Sequence, residues 1–495
     1  MSEFERFQGK AGIVGFCRSL YVGSVLILNI GLARAMGPEA FGSFQQVFIF
    51  NALFLILTLG IPETLYYFLP RFAEEDRPRF LGQTLQILLL SGIACIGLFW
   101  LIAPYLASVQ HNPAIVGELR IFGIYGAFVI ASSFSDPVFI WFKRIRNLFL
   151  LNVFHAVFLL GLTAWYYFTK GSASVIFAAM AVFGACKFVL ALWLLYGMRQ
   201  ETGEIHFFQG KSTILLQLSF ALPIVMSSTI DIISRWLDKY VVSFFFGAEA
   251  LGVFFVGAIE VPFIGVFVSS VYSVISPVLN TLHYKGDFRG FAKVVTKAFK
   301  FTTKIIWPVF IYLFIFADHI IPLVFRESYE GAVAPFRIYL TMLPLRVASY
   351  GVIVVAIGRP RAVLQCAFLS LTANVILNIV LALQIGFIGP ALATVISTWI
   401  HVGMLLTIIV TEIRIDLADI VPFRHLFTVA ATAGLSGLAA YSLTLGLTED
   451  VETIAISLII FVALYFFLGS KAGLIRYSDF LELAGGTSGG KKPES

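Results

Sequence analysis

The chain has 495 residues, of which 59% are hydrophobic and 13% charged, with a mean hydropathy of +0.92 and a formal charge of +6. Soluble globular domains are about a quarter charged, so a soluble fold is excluded. Irregular backbone exposed to lipid is excluded as well, because its amides would stay unpaired. What remains is an all-α polytopic membrane protein.

About 20 apolar residues cross a hydrocarbon core roughly 30 Å thick. Reading stretches of that length between charged, Gly or Pro breaks gives fourteen spans, at 11–35, 43–69, 81–106, 118–140, 148–168, 174–197, 213–241, 252–279, 296–317, 334–356, 362–384, 390–411, 425–445 and 452–469. The first is long and followed by thirteen others, so it reads as a retained helix and not as a signal peptide. Lys and Arg are retained on the cytoplasmic side of span ends. Of the 34 basic residues, 23 fall in one set of alternate connections and only Arg34, Lys170 and Arg326 in the other. Both termini are therefore expected in the cytoplasm. The positive charge reflects topology; scattered among loops, it gives no stripe for nucleic acid. Cys17, Cys95, Cys186 and Cys366 all lie inside spans without metal-ligand spacing, as small apolar packing residues would.

After span 1 the chain reads GPEAFGSF (Gly37 to Phe44), and after span 7 it reads GAEALGVF (Gly247 to Phe254), an offset of 247 − 37 = 210 residues. Glycine-rich turns alone can produce such letters. Duplication of a six-helix unit explains in addition why both loops fall on the outer face, since six crossings restore the orientation. The expected organisation is an N-lobe over 1–197 (spans 1–6), a cytoplasmic linker over 198–212, a C-lobe over 213–412 (spans 7–12), appended spans 13 and 14 within 413–470, and a partly disordered cytoplasmic tail over 471–495.

With GPEAFG, the run LGIPETLYYFLPRF (Leu59 to Phe72), DIISRWLDKYVVSFFFGAEALGVFFVGAIE (Asp231 to Glu260), FIFADHIIPLVFRESYEGAVAPFRIYL (Phe314 to Leu340) and IGFIGPALATVIS between spans 11 and 12, the chain resembles the polysaccharide flippases of the multidrug/oligosaccharidyl-lipid/polysaccharide exporter superfamily. The resemblance implies two six-helix lobes forming a V-shaped central cavity, with two C-terminal helices appended. It also implies that undecaprenyl-diphosphate-linked repeat units are moved from the inner to the outer leaflet by alternating access, for exopolysaccharide or O-antigen synthesis in a bacterial inner membrane. A polymerase and a chain-length regulator would be the protein partners.

Ionisable groups within spans cost about 2.5–3.5 kcal/mol each at a helix centre, so they are the candidate site. Arg18 lies about 10 Å into span 1, which contains no Asp or Glu. Its guanidinium fork suits a lipid diphosphate, and an ion pair with Glu63 is the structural alternative. Lys187 and Arg346 lie near mid-depth, as cavity wall or as salt bridges. Span 7 carries Asp231, Arg235 and Asp238 at i, i+4 and i+7, with Lys239 adjacent; this stripe lines the cavity and contacts sugar and phosphate, forms the salt bridge that holds one access state, or neutralises itself at the membrane interface. Glu63 and Glu260 are candidates for coupling or cavity lining, and the sequence leaves H⁺, Na⁺ or no ion open. Arg120, Lys304 and Arg337 lie near span ends, where snorkelling suffices. His155 and His401 are assigned no role.

No phosphate-cradling Gly-rich loop is present, and no cofactor is implied. No large extramembrane segment offers a catalytic domain, so the chain is not expected to be an enzyme. Two further classes remain. A cation-coupled multidrug exporter of the same superfamily would want carboxylates in its first lobe, where span 1 offers Arg18. A non-transporting scaffold of an envelope-synthesis complex would not need Arg18, Lys187 and Arg346 at depth.

Overall fold

The computed structural model describes residues 3–205, 207 and 211–474; the side chains of 3–18, 211–213, 224, 227 and 231 lie outside that description. Every regular element among the described residues is a helix. Twelve segments among the described residues are long and apolar enough to cross a membrane. One of them, Pro360–Ile413, is two helices, Pro360–Ile385 and Gly389–Ile413, joined by a 3-10 turn at Gly386–Ile388. The expected span 10 consists of two short helices, Val333–Leu340 and Tyr350–Ala356. The fold thus accommodates all fourteen expected passages, one of them too interrupted to register as a continuous span.

The interruptions follow a pattern. Span 2 is divided into Pro38–Phe48, Asn51–Leu57 and Ile61–Phe68. Span 4 breaks between Ser132 and Ser135, and span 8 between Gly257 and Ile264. With span 10, the broken helices are the second and fourth members of each six-helix repeat. Left-handed residues make two of the breaks, Leu59 and Gly60 at φ 54° and 61°, and Phe263 at φ 67°. Transporters place substrate groups at such discontinuous helices.

The boundary of span 7 differs from expectation. A helix runs over Lys211–Gly257, kinked at Gly247 (φ 81°), so that the end of span 7 and the start of span 8 are joined there. Its counterpart Gly37 (φ 78°) separates the helices Glu3–Met36 and Pro38–Phe48. Beyond each kink the two repeated segments cross in contact. A Cβ added at Gly42 would stand 1.7 Å from the Ala248 carbonyl oxygen, and one at Gly252 would stand 2.1 Å from that of Pro38. Both partner pairs obey the 210-residue offset, so the crossing is reciprocal. Only glycine permits this approach, the usual means by which membrane helices pack closely.

The chain forms two compact units, residues 1–256 with 371–394, and residues 257–370 with 395–495. The first has an aromatic core in which Phe54 and Phe177 flank Phe122 at ring distances of 4.8 and 5.5 Å. In the second, Phe423–Thr444 and Asp450–Lys471 pack on Phe288–Ile315 around Tyr312, Phe316, Phe461 and Tyr465. The hydroxyls that enter this core are bonded: Tyr312 donates to the Ile454 carbonyl at 3.1 Å and Tyr465 to that of Lys304 at 2.9 Å.

Candidate functional site

Spans 1–7 all lie in the first unit, and within it a cavity of 230 Å³ opens between the broken span 2 and span 7. Thr58, Gly60 and Glu63 line it from the first, and Ser228, Thr229 and Arg235 from the second, with Leu55, Ile56, Val225 and Ile232 as apolar wall. Glu63 owes its position to the break. The chain reverses hand at Leu59 and Gly60, restarts as a helix at Ile61 and Pro62, and presents Glu63 in the first turn, where the helix dipole favours a carboxylate. One cation, one anion and three hydroxyls therefore share an otherwise apolar hollow.

Buried polar side chains close span 7 against its neighbours on either side of this cavity. At one end Gln217 donates to Thr64 Oγ1 at 2.8 Å and to Thr84 Oγ1 at 3.1 Å, and accepts from Gln83 Nε2 at 3.1 Å. At the other, Gln46 donates to Ser243 Oγ at 3.0 Å and to the Gln110 carbonyl at 3.1 Å, and accepts from Asn112 Nδ2 at 2.8 Å. Ser243 also donates to the Gln110 side chain, and Tyr240 to the Ile49 carbonyl at 3.0 Å. Gln217 and Ser243 are 26 residues apart, about 39 Å along a helix, so the two clusters stand near opposite membrane faces.

The other expected site residues are distributed differently. The span 7 stripe divides: Arg235 faces the cavity, whereas Asp238 is 1% exposed and is paired at 3.2 Å with Lys239, whose ammonium also donates to the Arg235 carbonyl. Residues three apart on a helix stand about 60° apart, enough to send one side chain to the hollow and the other into the packing. Lys187 lies 3.4 Å from His155 Nδ1, with Asp136 as its electrostatic partner, and His155 packs between the rings of Tyr21 and Phe183. Lys187 is not among the residues lining the 230 Å³ cavity. In the second unit Arg346 Nη2 bonds Glu260 Oε1 at 2.9 Å, joining the break of span 10 to that of span 8. The side chains of Arg18 and Asp231 lie outside the described residues. Near span ends, Arg337 bonds the Phe314 carbonyl and Asp318, and Arg120 stacks on Trp100.

Charge alone does not single out Asp136 or the buried amides that bond span 7 to its neighbours. Asp136 stands 210 residues before Arg346, each at the break of the fourth helix of its repeat, so the offset itself was the available signal. Gln46, Gln83 and Gln217 are buried amides in apolar spans; attention to ionisable groups alone passed over them.

A family profile described as "Polysaccharide biosynthesis protein" matches residues 31–334. The chain is similar to an uncharacterized membrane protein of Methanocaldococcus jannaschii, 24% identical over 418 residues and 79% of each chain. It is also similar to the probable low-salt glycan biosynthesis flippase Agl15 of Haloferax volcanii, 23% identical over 177 residues, 35% of this chain and 37% of that one. Among solved structures, the lipid II flippase MurJ in an inward closed conformation superposes with a TM-score of 0.73 at 16% identity, over 95% of this chain and 99% of the other. An inward-facing multidrug resistance MATE transporter gives 0.63 at 16% identity, over 80% and 96%.

Proposed function

Because the chain belongs to the polysaccharide biosynthesis protein family, we propose that this integral membrane transporter flips an undecaprenyl-diphosphate-linked oligosaccharide from the inner to the outer leaflet by alternating access. The observation that carries this reading is the cavity between spans 2 and 7. The Arg235 guanidinium can pair with phosphate oxygens. Thr58, Ser228, Thr229 and Glu63 offer the donors and acceptors that sugar hydroxyls need, and the apolar wall suits a prenyl chain.

The hollow is smaller than the roughly 300–1,000 Å³ of typical ligand pockets, and it lies between two polar latches. Loading and release therefore require one latch to open at a time. In this reading the Gln217 latch is the inner gate and the Gln46–Ser243 latch the outer one, with both termini in the cytoplasm of a bacterial inner membrane. Arg18, on the cytoplasmic half of span 1, receives the diphosphate first. The product then serves a polymerase and its chain-length regulator. Every step is binding, reorientation and release, with no bond made or broken.

The fold likeness to a multidrug transporter motivates the competing reading, and one reconstitution separates them. Proteoliposomes should translocate a lipid-linked oligosaccharide. Arg235→Ala and Arg18→Ala should each slow this about 10- to 100-fold, the equivalent of about 1.5–3 kcal/mol for a lost charge-assisted bond. Full activity in both variants, or export of cationic drugs without any lipid translocation, would overturn the proposal.

A further inference from the structure

A second hollow, of 560 Å³, lies wholly within the second unit and takes no part in the flipping site. Arg289, Lys293, Lys297 and Lys300 form one wall, from the helix Phe288–Ile315, and Ile415 and Asp419 the other, beside the short helix Leu417–Ile420. The four cations recur at intervals of four, four and three residues, which places them along one face of the helix. Beneath them Phe291, Val295 and Phe299 are buried. The far wall is fixed, because Thr296 Oγ1 donates to the carbonyls of Asp419 at 2.6 Å and Ile420 at 3.1 Å. Among the described residues none of the four cations forms an ion pair, in contrast to Arg359 with Glu412 or Arg144 with Glu201 on other connections.

Like charges one turn apart repel, so a fold that aligns four of them around an open cleft favours an anion there. Position indicates which one. The cations occupy the first turns of a helix whose continuation is apolar enough to span the membrane, at the end that the distribution of basic residues assigns to the cytoplasm. Phosphates of lipid headgroups lie at that depth, and basic clusters and pockets beside spans bind them. We infer that this cleft is a phosphate-binding site for an anionic phospholipid headgroup, separate from the transported lipid.

The test uses the full chain in neutral detergent, titrated with micelles containing phosphatidylglycerol or phosphatidylcholine, and separately with inorganic pyrophosphate. Binding to phosphatidylglycerol should saturate and exceed binding to phosphatidylcholine. Each charge near the surface is worth about fivefold, so Lys293→Gln with Lys297→Gln and Lys300→Gln should weaken binding on the order of a hundredfold. Asp419→Asn should strengthen it about fivefold, a gain that misfolding does not mimic. A control triple on other connections of the same side, Arg79→Gln with Lys143→Gln and Arg146→Gln, should leave affinity unchanged. Saturable binding of pyrophosphate that the cleft triple abolishes, without preference for anionic lipid, would identify free phosphate as the source. Equal loss in the control triple, wild-type affinity in the cleft triple, or no binding in either arm would overturn the site. Since no flipping is measured, the outcome is independent of the transport reading.

Discussion

Replacing Gln217 by Leu tests whether the polar cluster around it is a gate. The substitution preserves bulk and apolar contact but removes three side-chain bonds, to Thr64, Thr84 and Gln83. Hydrogen bonds between membrane helices average about 0.6 kcal/mol each. Three of them give about 1.8 kcal/mol, and at 1.4 kcal/mol per tenfold the closed state should lose population about 20-fold relative to the state open at that end. The reporter is Ser228→Cys on the cavity wall, in a background with Cys17, Cys95, Cys186 and Cys366 replaced by Ala. A membrane-impermeant thiol reagent applied from the cytoplasmic side should label it about 20-fold faster in Gln217→Leu, while labelling from the opposite side should not accelerate. Ser243→Ala with Gln46→Leu should produce the mirror result. Unchanged labelling in a folded Gln217→Leu protein, or acceleration from the wrong side, would show that the cluster only packs span 7 and does not gate the hollow.

Further tests bear on the packing and the topology. Gly42→Ala places a methyl group where the Ala248 carbonyl oxygen now lies; overpacking of this kind costs about 1–3 kcal/mol, and a lower Tm in detergent should register it, whereas an unchanged Tm would disprove the close crossing. Lys239→Ala removes the ammonium paired with the buried Asp238 carboxylate and should destabilise the protein, by at most about 3–5 kcal/mol. Lys239→Ala with Asp238→Leu should recover most of that, and a failure to recover would mean Lys239 has another task. If, as proposed, the N-terminus is cytoplasmic, an even number of passages requires a reporter fused after Ser470 to read cytoplasmic; a signal from the other side would overturn that topology.

The sequence by itself determined what depends on local composition. Twenty-residue apolar runs must become helices wherever no water is present to satisfy the backbone, so the passages are legible in the sequence, while their limits are not: the helices Glu3–Met36 and Phe288–Ile315 each begin eight residues before the apolar run does. The 210-residue repeat was legible too, because Gly37 and Gly247 are required by positive φ, and Gly42 and Gly252 by the approach of another backbone. Those constraints act on single residues and leave single-residue signatures. Which spans are interrupted was only half visible: Leu59 and Phe263 adopt left-handed backbone although neither residue type announces it, since the surrounding packing holds a conformation that propensity disfavours.

The assignment of polar groups to the cavity, to the latches or to buried pairs belonged to the tertiary structure alone. Periodicity put Arg235 and Asp238 on one stripe, but a 60° offset and the adjacent ammonium of Lys239 decided that one lines the hollow and the other is neutralised. Glu260 and Arg346, 86 residues apart in sequence, become ion partners only when two broken helices meet. The glutamines of the latches carry no charge for a sequence reading to count, and they matter because their partners come from Thr64, Thr84, Gln110 and Ser243 on other helices. A buried amide acquires its role from the group opposite it, and that group is supplied by a distant part of the chain.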